Sequence, residues 1–195
     1  MARTVVPGIG GLALVIVLVV GACASPPIKI AQRALEARGT SDIVKDNEIV
    51  VDVNKLMATY ETVAVSTEIY EQRLLVYGLL DDAAKVESFR GDVAKLEGVK
   101  ALYWHVTYMS AADQDAKSDD ILGLAGAAEA QTNVEAKWLV ADGVSSLNFR
   151  AGIDPLATAY ILGRAKSAAE QQKALAEVGK VAEIKRVVDY VEVRP

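Results

Sequence analysis

Reactive side chains are scarce in this chain. Among its 195 residues Cys23 is the only cysteine and His105 the only histidine. His105 falls in an alternating run of strand character, on the opposite face from Trp104 and Val106, with no second histidine and no cysteine nearby. A lone imidazole so placed reads as a structural or solvated residue rather than a metal ligand or general base. The carboxylate pairs Asp81-Asp82 and Asp119-Asp120 are adjacent in sequence, which suits negative charge at a helix start better than acid/base work. Gly8, Gly10 and Gly11 lie in an apolar leader and cannot form a phosphate loop, and no nucleotide-binding spacing follows Gly123 and Gly126. From these residues we expect no enzyme, no cofactor and no metal site.

Cys23 has a different use. After Arg3 the chain carries no charge from Thr4 to Pro27, and it contains the apolar block Leu12 to Val20. One positive charge, a short apolar core and then small residues form a secretory signal pattern. The small residues Val20, Gly21 and Ala22 directly precede Cys23, which resembles a bacterial lipobox. That resemblance implies cleavage after Ala22 and acylation of the Cys23 thiol by palmitate-type chains. A plain signal peptide and a transmembrane anchor are the alternatives. Val5 to Ala22 approaches the roughly 20 apolar residues that a span requires, provided Pro7 and four glycines are tolerated. Acylation would leave no thiol for a disulfide, for zinc or for catalysis, and the two or three chains of a bacterial lipoprotein anchor stably. Ala24 after the cysteine, rather than Asp, resembles lipoproteins exported to the outer membrane. The expected location is therefore the periplasmic face of that membrane.

The formal net charge is −5, which argues against a nucleic-acid partner. It is unevenly spread: residues 41–110 and 111–155 each sum to −5, whereas residues 156–195 sum to +2.

The elements that carry these residues occur twice. Residues 75–106 lie on residues 160–191 without a gap at a constant offset of 85, with seven identities that include Gly78/Gly163, Val93/Val178, Lys100/Lys185 and Val106/Val191. Unrelated segments of this length would share about two, so the stretch is one duplicated supersecondary unit. In the first copy a helix is predicted over about 42–58, capped by Ser41 or Asp42, with Ile49, Val53 and Met57 on its apolar stripe. Strands follow over Tyr60–Thr67 and Arg73–Leu80, joined by a turn at Glu68–Gln72. Gly78 is expected to end the second apolar run. A helix begins after Asp82 with Val86, Phe89, Val93 and Leu96 on one face, and Val99–Tyr108 closes the unit. Residues 111–120 read as a linker. The second copy is predicted as a helix over Ile121–Ala141, strands over Val144–Ala151 and Ala157–Leu162, a helix from Ser167 to about Val181 and a strand over Glu183–Val193.

This yields an α+β fold of two tandem αββαβ units, each a small three-stranded sheet with two helices. The boundaries are 1–22 signal, 23–41 tether, 42–110 first unit, 111–120 linker and 121–195 second unit. A strand ending in glycine (LLVYG, AYILG), an alanine-bearing helix, a Val99-Lys100 or Ile184-Lys185 pair and an alternating last strand resemble the BON domain, with Gly78 and Gly163 as its structural glycines. The first copy departs in Leu79-Leu80 and the second in Glu183, which stands where the family commonly has glycine. Behind a lipobox, the pair is similar to dual-BON envelope lipoproteins of Gram-negative bacteria. That resemblance implies a non-enzymatic role in outer-membrane integrity, with anionic phospholipid as ligand of the second domain. Lys137, Trp138 and Leu139 are the candidate phospholipid contact, since an aromatic beside a cation suits a membrane interface; the competing reading places Trp138 in the core. An alternative function is an adaptor for envelope assembly proteins.

Overall fold

The structure, a computed structural model, describes residues 37–195. Signal residues Val20, Gly21 and Ala22 and the acylation candidate Cys23 lie outside them. In the first unit α1 (Thr40–Thr59) precedes a hairpin of β1 (Val65–Tyr70) and β2 (Arg73–Leu80), then α2 (Ala83–Val93) and β3 (Ala101–Tyr108). A short α3 (Ala111–Ala116) and a 3-10 turn (Ser118–Asp120) lead to α4 (Gly123–Val140), β4 (Phe149–Ile153), β5 (Thr158–Ala165), α5 (Ala168–Val178) and β6 (Arg186–Val193). Each unit is thus a small α+β body with its own three-stranded sheet. In both, the middle strand pairs antiparallel with its hairpin partner and parallel with the last strand.

Alternation along the middle strands decides what each sheet face touches. In the first unit Leu74, Val76 and Leu80 meet Ile49 and Val53 of α1 and Phe89 and Val93 of α2. In the second, Ile161 and Ala159 meet Val134 and Trp138 of α4 and Ala174 and Val178 of α5. The other faces meet each other: Tyr70, Leu75 and Tyr77 pack on Tyr160 and Leu162, flanked by Tyr103, Val188 and Tyr190. The layers therefore run helices, sheet, sheet, helices. All eight residues of β2 are buried, as a strand covered on both sides must be.

Several predicted boundaries move, each for a local reason. Gly39, not Ser41 or Asp42, is the N-cap of α1. The first strand begins at Val65 because the chain leaving α1 turns through Glu61 at φ 51° before β1 can start. The hairpin turn shrinks to Glu71 and Gln72, both at positive φ (53° and 64°), a conformation for which Asn-Gly is the usual signal. Buried Asp46 of α1 compensates. Its carboxylate accepts from Glu71 N at 2.9 Å, Gln72 N at 2.6 Å and Gln72 Nε2 at 2.9 Å, and it pairs with Arg38. Residues 111–120 are not a plain linker, since Ser110 accepts from Asp113 N and caps α3. In the second unit a 3-10 turn (Ser146–Asn148) delays β4 to Phe149.

The paired glycines do not end their strands. Gly78 and Gly163 sit inside β2 and β5, at φ 144° and 146°. A Cβ on Gly78 would lie 2.2 Å from Ala64 O, and one on Gly163 would lie 2.1 Å from Asn148 O. The residue type is set by the close crossing of the backbone that enters the neighbouring strand.

Candidate functional site

Two places gather the polar and aromatic side chains of interest: the C-terminal end of α4 and the seam between the sheets. At the first, the sequence grouped Lys137, Trp138 and Leu139, and the helix separates them. Trp138 is 1% exposed, its ring 5.5 Å from that of Phe149, and its indole Nε1 donates to Ala174 O at 2.9 Å. The expectation that Trp138 touches phospholipid is therefore corrected. Ala127, Ala130, Val134 and Trp138 form the buried stripe of α4, and the three- and four-residue spacing carries the indole into the core with them.

Leu139 follows one residue later and points away, 75% exposed, and Val140 beside it is 81% exposed. Lys137 is exposed in the last helical turn, where a cation complements the helix dipole. Lys166 and Lys173, also exposed, line a groove with Asp142 and Gly143 just past this helix end. Glu170 in the same groove is already engaged, accepting from Ser145 N at 2.8 Å and Lys166 N at 2.7 Å. Burial raises its carboxyl pKa, but these backbone donors and the nearby Lys166 charge outweigh burial and hold it below the ordinary value.

The seam is aromatic. Tyr103 stacks on Tyr190 with centroids 3.9 Å apart, and His105 stacks on Tyr160 at 4.2 Å. His105 Nε2 and the Tyr190 hydroxyl share a hydrogen bond of 2.7 Å. Burial lowers the His105 pKa; Asp154 opposes that shift and Arg186 adds to it. The Tyr160 hydroxyl donates to Asp154 Oδ2 at 2.8 Å, and burial followed by that bond raises the phenol pKa well above its usual value. Gly152 lets the sheets approach, since a Cβ there would lie 2.6 Å from Tyr77 Cε1.

Arg73 crosses the seam from the first unit. Its guanidinium, 5% exposed as a residue, donates to Tyr190 O at 2.7 Å and Gly163 O at 2.8 Å and lies 3.5 Å from Glu192. Arg194 pairs with Glu71 in the reverse sense. Sequence reasoning passed over Arg73, Gly152 and the tyrosines. Their signal was the unbroken apolar run of β2, which marks a strand buried on both faces.

The carboxylate pairs are placed at helix starts. Asp82 caps α2 by accepting from Lys85 N at 3.0 Å, and Asp120, in the 3-10 turn before α4, lies 3.5 Å from Lys185 Nζ. Gly123, at φ 63°, opens α4. Among the described residues no helix is long and apolar enough to cross a membrane.

No protein-family profile matches this chain, and neither does any curated protein. Two solved structures of CdsD, a structural protein of the type III secretion system of Chlamydia trachomatis, are similar to it at 13% identity and a TM-score of 0.31. One covers 76% of this chain and 93% of its own; the other, the C-terminal domain, covers 81% and 100%. Likeness at this level bears on neither function nor partner.

Proposed function

We propose that this chain is a non-enzymatic envelope lipoprotein, held by acylated Cys23 at the periplasmic face of the outer membrane and contributing to its integrity. In this reading the BON-like second unit touches anionic phospholipid through Leu139 and Val140. The observation that carries it is the end of α4, where two consecutive aliphatic side chains stand in solvent beside Lys137, with Lys166 and Lys173 across the neighbouring groove. Scattered exposed aliphatics are ordinary. An adjacent pair at a helix end, with Lys137 beside it and Lys166 and Lys173 on the neighbouring groove, has the composition of a shallow membrane insertion. Glu135 and Asp142 reduce the local charge, so the aliphatic pair carries most of the contact.

Co-sedimentation of residues 24–195 with vesicles tests this without the acyl anchor. Binding to anionic vesicles at low salt, weakened by salt, is expected, with loss on Leu139→Asp combined with Val140→Asp at unchanged melting temperature. Binding that survives this pair, or no binding at low salt, refutes the contact.

An adaptor for envelope assembly proteins is the second reading. Burial of Trp138 favours it, because that burial removes the aromatic from the membrane contact. It requires a specific crosslinked partner that persists in the Leu139→Asp, Val140→Asp variant.

A further inference from the structure

β3 and β6 are equivalent edge strands, and they are finished differently. The β6 edge is guarded. It carries Arg186, Asp189 and Glu192, and the backbone of Val191 is engaged by side chains: Val191 O accepts from Gln171 Nε2 at 3.2 Å, and Val191 N donates to Asp189 Oδ1 at 2.8 Å. Charges and side-chain caps of this kind are how natural sheets prevent unwanted strand addition. β3 has none of them. Its eight residues, ALYWHVTY, include no Asp, Glu, Lys, Arg, Pro or Gly, and among the described residues no side chain hydrogen-bonds to the backbone of Ala101–Tyr108.

The charges at the two ends of β3 select a direction for what could be added. β2 and β3 are parallel, so their C-terminal ends lie together and gather the exposed carboxylates of Asp81, Asp82, Asp113 and Asp115. At the opposite end exposed Lys100 leads directly into β3, with Glu97 three residues earlier. Two such edges side by side in parallel would oppose like ends. Turned antiparallel about a two-fold axis, each acidic end meets the Lys100 end of the other copy, and the uncharged strands meet without conflict. The register must pair residues that share a face. Centring it on Trp104 sets Leu102 against Val106, Tyr103 against His105 and Ala101 against Thr107 of the other copy.

We infer that the exposed β3 edge is a self-association surface, where a second copy of this chain adds its own β3 antiparallel to form a continuous six-stranded sheet.

The full chain in density-matched detergent, followed by sedimentation equilibrium, tests this with variants at exposed Tyr108. The expected wild-type result is a concentration-dependent monomer–dimer equilibrium. Tyr108, half exposed, is the residue this register sets directly opposite Lys100 of the second copy, so Tyr108→Lys places like charges face to face and is expected to raise the dissociation constant by about tenfold. Tyr108→Glu sets an anion against that lysine and retains the dimer. Melting temperatures matching the wild type confirm that both variants are folded. A wild-type chain that stays monomeric at every concentration overturns the inference, as does a dimer equally insensitive to both substitutions. A monomer that instead captures an unrelated extended peptide at β3 also overturns it, because the occupant is then not a second copy.

Discussion

Replacing Arg73 by Met asks how much of the fold depends on the seam. Met preserves most of the aliphatic stem and its packing, so the change removes chiefly the guanidinium. That group makes two hydrogen bonds to buried carbonyls of the second unit, at 2.7 and 2.8 Å, and lies near Glu192. Charge-assisted bonds contribute about 1.5–3 kcal/mol each. Burying the cation opposes them, and Arg73 Nε is buried without an acceptor, which costs about 1–3 kcal/mol. A net loss of about 3 kcal/mol follows, a large share of the roughly 5–15 kcal/mol by which domains are stable. Since donor and acceptors belong to different units, the loss falls on their coupling. Urea denaturation combined with hydrogen exchange reads both effects. In the wild type β2 and β5 amides are expected to open together, whereas in Arg73→Met those of β5 open at lower urea than those of β2. If the midpoint moves by less than about 1 kcal/mol equivalent, or if both sheets still open together, the clamp is not what joins the units.

Four further outcomes are expected. Gly163→Ala should destabilise by about 3 kcal/mol or more, read by thermal melting, because strain at positive φ adds to the clash with Asn148. Gly91→Ala should instead stabilise by about 0.5–1 kcal/mol in the same assay, since Gly91 is helical and a Cβ there meets nothing within 4 Å. The depressed pKa of His105 means that its neutral form is favoured in the fold; its contribution is complete above the ordinary imidazole value of about 6.5 and is lost as pH falls through the folded value. Stability measured from pH 7.5 to 5 should decline in the wild type and less steeply in His105→Gln. The second unit alone, residues 121–195, should self-associate or precipitate, because separation exposes Tyr160, Leu162, Val188 and Tyr190; a stable monomer in light scattering would count against the seam.

What was legible in the sequence followed from periodicity. The stripes Val86, Phe89, Val93 and Ile49, Val53 lie in the cores where their spacing put them, and Asp82 and Ser167 cap the helices they precede. What was hidden depends on tertiary partners. Nothing local marks Glu71-Gln72 as a two-residue turn, because Asp46, 25 residues earlier, supplies the bonds that hold it. Trp138 illustrates the opposite failure. Its neighbours Lys137 and Leu139 suggested an interface, yet its own position on the Val134 stripe pointed inward, and helical phase outweighs local composition when the two disagree.

The seam also explains why the unit occurs twice. His105 and Tyr190 are 85 residues apart, which is the repeat offset, so the hydrogen bond between them joins equivalent positions. Contact between equivalents fits packing about a local two-fold axis, on which equivalent positions face each other. A single αββαβ unit covers one face of its sheet with helices and leaves the other, here Leu75 and Tyr77 or Tyr160 and Leu162, without cover. A body of that size buries too little surface to leave such a face in water. Packing two copies about a local axis solves the problem for both at once, and placing them in one chain removes the concentration dependence of the pairing. Once covalently joined, equivalent positions no longer need the same side chain. One copy can then supply His105 and the other Tyr190, one can supply Arg73 and the other the carbonyls it holds, and the two outer edges can diverge. β6 has acquired guards and β3 has not, and that asymmetry is the kind an internal two-fold permits and an ordinary homodimer forbids.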